Sequence, residues 1–182
     1  EFLNLASRLG WSRGTIYAAF RDLEKEIIRI SEDDYVLPDM FVFEDDFIRR
    51  FKESIASLVK DSGYYGLFAY LPFNKFPPCQ FEWNSFLVES IILEHEIGFK
   101  ILSPQTASRY QRGIIVNSSH SAHSLEEFVA HTMRVDGNIA LTESEFGDYL
   151  KDKGIIYTNN VPQELYNCPE IAYKNEKFRL PE

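Results

Sequence analysis

The chain has 182 residues, 45% of them hydrophobic and 26% charged, and a formal net charge of −9. This composition is that of an ordinary globular protein and excludes a disordered or low-complexity chain. No apolar stretch is long enough to cross a membrane and no signal-peptide pattern begins the sequence, so we expect a soluble protein with no membrane partner. Because the chain starts without Met and within a helical pattern, we expect it to be a fragment of a longer protein.

Two short helices are predicted at the start of the chain. Apolar residues recur at helical spacing from Leu3 to Leu9, and Gly10 is the residue type that ends helices in the left-handed conformation. Ser12 is suited to capping a second helix, predicted over residues 12–25, whose apolar face carries Ile16, Ala19, Phe20 and Leu23. Two helices joined by a short turn form a helix-turn-helix.

A β-hairpin is predicted directly after these helices. Residues 27–30 and 35–37 are rich in β-branched and aromatic residues, and the acidic turn 32–34 separates them. Pro38 ends the second strand. A hairpin that follows a helix-turn-helix is a wing, so residues 1–38 are predicted to be a winged-helix unit, truncated at its N-terminus.

The middle of the chain, residues 39–121, repeats this scheme with additions. Helices are predicted from about Asp45 to Lys60 and from Phe81 to Glu94, with a strand or extended segment around 67–71 between them. Residues 99–102 and 113–116 then have the pattern of two paired strands. The order is that of an expanded winged-helix-like unit.

The last segment, residues 122–182, is predicted to be a further winged-helix-like unit. A helix covers residues 125–133, and Thr142 with Glu145 has the capping-box pattern that starts another helix, ended by Gly154. A short helix at 163–166 and a hairpin of residues 171–173 and 178–180 follow. The predicted fold class is therefore α+β, with two to three tandem winged-helix-like units, mainly helical, carrying β-hairpin wings.

Residues 5–24 resemble the helix-turn-helix segments of bacterial regulators of the GntR and TetR families. The matching elements are Leu-Ala-x-x-Leu-Gly at residues 5–10, Ser-Arg-Gly-Thr at 12–15 and Phe-x-x-Leu-Glu at 20–24. The predicted wing favours the winged GntR type over TetR. The resemblance, about a fifth of the chain with its wing, implies a helix that faces nucleic acid.

The predicted function is that of a DNA-binding module in a larger regulatory or genome-maintenance protein. With Ile16, Phe20 and Leu23 facing the core, the opposite face of helix 12–25 presents guanidinium and phenol groups in the position from which a recognition helix reads a major groove. The predicted nucleic-acid-binding residues are Arg8, Ser12, Arg13, Thr15, Tyr17, Arg21 and Lys25. Such a protein would be cytoplasmic, associated with the nucleoid or, in a eukaryote, nuclear.

Charge opposes this interpretation. All three segments carry more acidic than basic residues, so binding to phosphate needs a local basic face. The acidic turn 32–34 would repel a phosphate backbone despite the nearby Arg29, and the cluster of Arg49, Arg50 and Lys52 has Asp45 and Asp46 beside it. The alternative is a protein-interaction or assembly module that contacts other protein subunits through its winged helices and does not bind nucleic acid.

No pattern indicates catalysis or a cofactor. There is no phosphate-binding loop, dinucleotide fingerprint or nucleophile elbow, so we predict a protein that is not an enzyme and holds no cofactor or metal. His120 and His123 could bind a metal with Glu126 or Glu127, but a serine-rich loop is the favoured interpretation. Cys79 and Cys168 are too isolated for a disulfide framework. Five aromatic residues are predicted to pack in the core, with a partner surface as the alternative: Phe73, Phe76, Phe81, Trp83 and Phe86.

Overall fold

The computed structural model of the protein describes residues 10, 12, 27–32, 34–41, 46–66, 68–102, 113–137 and 140–181. Within these residues the fold is α+β, as predicted, with four α-helices and three small antiparallel sheets. The helices are α1 (Phe47–Val59), α2 (Ser85–Glu94), α3 (Leu125–Val135) and α4 (Glu143–Asp152). Short 3₁₀ turns lie at Pro38–Met40, Phe68–Tyr70, Phe73–Lys75 and Gln163–Tyr166.

The two larger sheets share one strand order. Strands β1 (Ile28–Arg29) and β2 (Tyr35–Val36) form the first hairpin. Strands β3 (Tyr64–Tyr65), β4 (Phe99–Leu102) and β5 (Ile114–Asn117) form a sheet in the order β3-β5-β4. Strands β6 (Leu141–Thr142), β7 (Ala172–Lys174) and β8 (Lys177–Arg179) are arranged as β6-β8-β7. In both sheets the last strand in sequence is the central one and pairs antiparallel with the other two.

Side-chain caps determine where three of the helices begin. Asn84 accepts a hydrogen bond from the main-chain N–H of Leu87, so α2 starts at Ser85, four residues later than predicted. Ser124 caps α3 in the same way, and the predicted capping box of Thr142 and Glu145 is confirmed at the start of α4. Helix α1 has no side-chain cap and is held by its buried face of Phe47, Phe51, Ile55 and Val59.

The strand predicted around residues 67–71 is wrong. The strand lies earlier, at β3, and the chain then turns through the 3₁₀ segment Phe68–Tyr70. Between the two, Gly66 allows a close approach of main chain to main chain, because a Cβ atom there would stand 1.8 Å from the carbonyl oxygen of Gly154. The helix predicted at 163–166 is a single 3₁₀ turn after Pro162.

Two hydrophobic cores lie on opposite faces of the β3-β5-β4 sheet. Ile101 and Ile115 belong to the first core, with α1, α2 and the hairpin residue Ile28. Leu102, Ile114 and Val116 belong to the second, with α3, α4 and Phe178. The sheet is therefore buried on both faces, and its hairpin β4–β5 is covered by the last segment of the chain.

The predicted helices before residue 26 lie outside the described residues. Gly10, which is described, has a φ of 75°, the left-handed conformation predicted for it. The boundaries proposed near residues 38 and 121 stay predictions. None of the described helices is long and apolar enough to span a membrane.

Candidate functional site

Of the seven predicted DNA-binding residues, Ser12 is among the described residues. Ser12 is exposed. Arg8, Arg13, Thr15, Tyr17, Arg21 and Lys25 lie outside the described residues. Helix 12–25 therefore stays a prediction. The hairpin β1–β2, which follows it in sequence, is among the described residues.

The tip of the hairpin β1–β2 is a tight acidic turn. The Ser31 hydroxyl donates to a carboxylate oxygen of Asp34 at 2.7 Å, and the Ile30 main-chain N–H donates to the Asp34 carbonyl at 2.9 Å. The side chains of Glu32 and Asp34 are exposed. Two exposed carboxylates at the tip agree with the expectation that this wing does not enter a minor groove.

Arg29 is engaged within the hairpin rather than open to a phosphate. Its Nε donates to the Ser31 carbonyl at 3.1 Å and its Nη2 to the Glu32 carbonyl at 2.6 Å. Its guanidinium also lies over the ring of Phe86 in α2, 4.1 Å from the ring centroid. The residue that could have offset the acidic tip thus stabilises the turn and fixes it to α2.

Helix α2 is covered on nearly every side. It precedes the hairpin β4–β5, which is where a winged helix carries its reader, yet only Leu93 and Glu94 at its C-terminal end are exposed. The hairpin β1–β2 lies against it through hydrogen bonds from Ser90 and Asn84 to the main chain of Arg29 and Ile30. As it stands, α2 has no free face to insert into a groove.

Two basic residues of α1, Arg49 and Arg50, are paired with acidic neighbours. Arg49 contacts Glu53 at 2.7 Å and Asp46 at 3.1 Å, and Arg50 contacts Asp46 at 3.3 Å. These exposed pairs contribute little to stability, but their carboxylates offset the positive charge of the two arginines, which would otherwise attract nucleic acid.

The imidazole of His120 packs against Phe128 and His131 of α3. Its Nδ1 accepts a hydrogen bond from the Ala122 main-chain N–H at 3.1 Å, and its ring centroid is 5.2 Å from that of His131. Burial lowers its pKa, and the nearby His131 and Lys100 lower it further. His123 is exposed, and its main-chain N–H donates to a carboxylate oxygen of Glu127. Among the described residues no three metal-ligating side chains come together.

Four of the five aromatic residues predicted to pack in the core do so in the first core: Phe73, Phe76, Phe81 and Trp83. Trp83 stacks on Phe47 and Phe51 at 5.9 and 5.6 Å, and its indole N–H donates to the Pro77 carbonyl at 2.7 Å. Phe76 is buried beside it. The cysteines are free thiols in different cores, Cys79 against the first and Cys168 against the second.

Exposed tyrosines mark the contact between the middle and last segments, a feature that sequence reasoning missed. The rings of Tyr70 and Tyr157 stack with centroids 5.0 Å apart, although the two residues are 55% and 64% exposed. A shallow pocket of about 220 Å³ lies at the same contact, lined by Leu58, Ser62, Tyr64, Tyr65, Gly66, Lys153 and Gly154. The pocket is smaller than a typical small-molecule site and suits one or two side chains.

A polar network holds this contact together. Asp136 accepts hydrogen bonds from Lys153 at 2.7 Å and from the Tyr149 hydroxyl at 2.9 Å. The hydrogen bond from Lys153 holds the Asp136 pKa below its ordinary value, while burial and Asp136 raise the pKa of Tyr149. The Tyr64 hydroxyl donates to the Lys153 carbonyl at 2.7 Å, so one network joins the two segments.

Comparison of the chain with known protein families, with curated proteins and with solved structures found no match.

Proposed function

We propose that this chain is a DNA-binding module of tandem winged-helix units within a larger regulatory or genome-maintenance protein. The observation that carries the proposal is the strand order shared by β3-β5-β4 and β6-β8-β7. The middle segment runs α1, β3, 3₁₀ turns, α2, β4, β5, and the last segment runs α3, β6, α4, a 3₁₀ turn, β7, β8. This is the order of elements in a winged helix, in which a strand lies between the first two helical elements and a hairpin follows the third. In sequence, the hairpin β1–β2 follows the segment 12–25 as a wing follows the helix that reads DNA. That segment is the one whose sequence resembles a DNA-reading helix.

The later units are poor readers, which supports assigning the role to residues 12–25. Helix α2 is covered by the hairpin β1–β2. The corresponding element of the last unit is a 3₁₀ turn of four residues that includes Glu164. A single turn of this kind is too short to lie along a major groove. The described units would instead form the body on which the reader is held.

Fluorescence anisotropy with duplex DNA tests the proposal. We expect affinity that falls as salt rises, and the double variant Arg13→Ala, Arg21→Ala to bind at least about tenfold more weakly with a shallower salt dependence. The control Lys174→Ala, Lys177→Ala removes the same charge from the hairpin β7–β8 and should bind nearly as the wild type does. Equal losses in both variants, or no binding at about 50 mM salt, would overturn the proposal.

The second candidate is a protein-interaction or assembly module, favoured by the stacked pair Tyr70 and Tyr157. Tyrosine is enriched in protein interfaces, and these two residues are more than half exposed. The Tyr70 carbonyl also accepts a hydrogen bond from Tyr65, which lines a pocket of side-chain size. If this function holds, a protein purified with the parent chain should bind the wild type and Tyr173→Ala equally, because Tyr173 is an exposed tyrosine elsewhere. It should bind the double variant Tyr70→Ala, Tyr157→Ala at least about tenfold more weakly. Equal binding of all three proteins would rule out this surface.

A further inference from the structure

We infer that Ser90 and Asn84 are positioning residues for the DNA reader, because they fix the hairpin β1–β2 on α2 and the proposed reader, residues 12–25, comes directly before that hairpin in sequence. The inference rests on the proposed function. Neither residue was singled out by sequence, since each acts on main chain more than fifty residues away.

Ser90 makes two hydrogen bonds to the main chain of a single residue. The Arg29 N–H donates to the Ser90 hydroxyl oxygen at 3.1 Å, and the Ser90 hydroxyl donates to the Arg29 carbonyl at 3.0 Å. The side-chain amide of Asn84 donates to the carbonyl of the next residue, Ile30, at 2.7 Å. Together they satisfy three main-chain polar groups, the N–H and C=O of Arg29 and the C=O of Ile30.

These bonds take the place of a neighbouring strand. Among the described residues, strand β1 pairs with β2 alone, with Ile28 opposite Val36 and Arg29 opposite Tyr35. The other edge of a strand presents unpaired main-chain groups, which are costly when they lie against protein instead of water. We call the contact of Ser90 and Asn84 with the main chain of residues 29 and 30 the seat of β1 on α2. Because the seat is made to main chain, it fixes the position of β1 along α2 as well as holding the strand against the helix.

Apolar contacts at the same place act with these hydrogen bonds. Ile28 is 4% exposed and packs in the first core, and the Arg29 guanidinium lies over Phe86. The hairpin has only two residues in each strand, and a two-stranded ribbon of this size is marginally stable by itself. Its orientation is therefore set by α2.

The connection from the seat to the reader is short. Only residues 26 and 27 lie between Lys25, the last residue of the predicted reader, and β1. Two residues give little slack, so fixing β1 restricts the orientations available to the reader. A reader held in one orientation loses less freedom on binding DNA than one that rotates.

Hydrogen exchange of the Arg29 amide tests the seat without DNA. Ser90→Val and Ser90→Thr have nearly the same shape, but only Thr keeps the hydroxyl. We expect the Arg29 amide to exchange at least about tenfold faster in Ser90→Val than in the wild type and to be restored in Ser90→Thr. The Ile115 amide in the central sheet should be unchanged, which controls for global unfolding. An Arg29 exchange rate unaffected by Ser90→Val would overturn the seat.

Asn84 needs a variant that leaves the helix cap intact. Asn84→Asp keeps a side-chain oxygen for the Leu87 N–H but loses the amide that donates to Ile30. We expect α2 to keep its helical content while the Arg29 amide exchanges faster. If the exchange rate stays at the wild-type value, Asn84 caps α2 and has no positioning role.

DNA affinity then separates the seat from the proposed function. We expect Ser90→Val and Asn84→Asp to bind duplex DNA several-fold more weakly than the wild type, and Ser90→Thr to bind normally. If the wild type binds DNA and Ser90→Val binds equally well, the positioning role is wrong. If the wild type does not bind DNA while Arg29 exchange responds to Ser90→Val, the proposed function is wrong and the seat stands.

Discussion

Two glycines allow main chain to approach main chain where any other residue would collide. At Gly66 the obstacle is the Gly154 carbonyl, and at Gly147, inside α4, it is the Asn159 carbonyl, 2.2 Å from where a Cβ atom would stand. Asn159 is further tied to α4 by hydrogen bonds with Lys151 and Asp148. The loop after α4 can therefore lie this close to the helix because residue 147 is glycine.

Gly147→Ala should destabilise the protein, although the same change stabilises most helices. In an exposed helix interior alanine is favoured over glycine by about 1 kcal/mol. Here the added methyl group meets main chain, and overpacking of this kind costs about 1–3 kcal/mol. We expect a net loss in denaturant unfolding, whereas the control Ser144→Ala, at an exposed position of α4, should change stability by less than about 0.5 kcal/mol. A gain in stability for Gly147→Ala would contradict the close approach.

His120 should make stability depend on pH. Its pKa is lowered in the folded protein relative to an ordinary value of 6.5, so the unfolded chain binds the proton more readily. Stability should therefore be highest above about pH 6.5 and fall as the pH drops from there toward the folded-state pKa, because protonation also removes the acceptor of the Ala122 N–H. Unfolding midpoints at several pH values should show a weaker decline for His120→Gln. The exposed His123→Gln should follow the wild type, and an equal decline in all three proteins would exclude His120 as the cause.

At the scale of elements, the sheet β3-β5-β4 is the structural centre. An antiparallel sheet with one wet face alternates buried and exposed residues, but Ile114, Ile115 and Val116 are all fully buried in β5. Successive residues point to opposite faces, so Ile115 fills the first core and its two neighbours fill the second.

Truncations in β5 should therefore be costly on both faces. We expect Ile114→Ala and Ile115→Ala each to lower the free energy of unfolding by about 2–5 kcal/mol. Leu93→Ala, at a residue that is 63% exposed, should cost less than about 0.5 kcal/mol. If one of the two isoleucine variants were as mild as the leucine control, one face of the sheet would not be covered.

Local signals predicted most of the described elements, and long-range contacts account for the rest. The capping box of Thr142 and Glu145 and the apolar spacing of α1 lie within a few residues and were found from sequence. The sequence pattern predicts too early a start for α2, because the aromatic residues that begin at Phe81 continue into the helix, although Asn84 is a recognisable cap. The contacts of the hairpin β1–β2 with α2 and of Tyr70 with Tyr157 join residues far apart in sequence, so no local sequence pattern predicts them.

At the scale of the whole molecule, the shared sheet should make both cores unfold together. Phe146 is fully buried in the second core, whereas Trp83 packs against the first. In a Trp11→Phe background, where Trp83 is the remaining tryptophan, Phe146→Ala should lower the unfolding midpoint seen by tryptophan fluorescence and by circular dichroism equally. A Trp83 transition that stays at its original midpoint would mean that the cores unfold independently.

The acidic charge of the molecule would restrict the proposed DNA binding to a local face. With a net charge of −9 overall and carboxylates exposed at the hairpin tip, general attraction to phosphate cannot hold DNA. We therefore expect the proposed contact to be concentrated in the segment 12–25, with the elements from α1 to β8 contributing little to it.

Mapping the DNA contact by ¹⁵N–¹H NMR tests this claim most directly. On addition of duplex DNA at low salt, we predict that amide shifts change mainly in residues 8–25 and in the adjacent hairpin β1–β2. Amides of α4 and of the hairpin β7–β8 should not shift. Changes centred on residues 143–179, or no changes at any residue, would contradict the assignment of the reader.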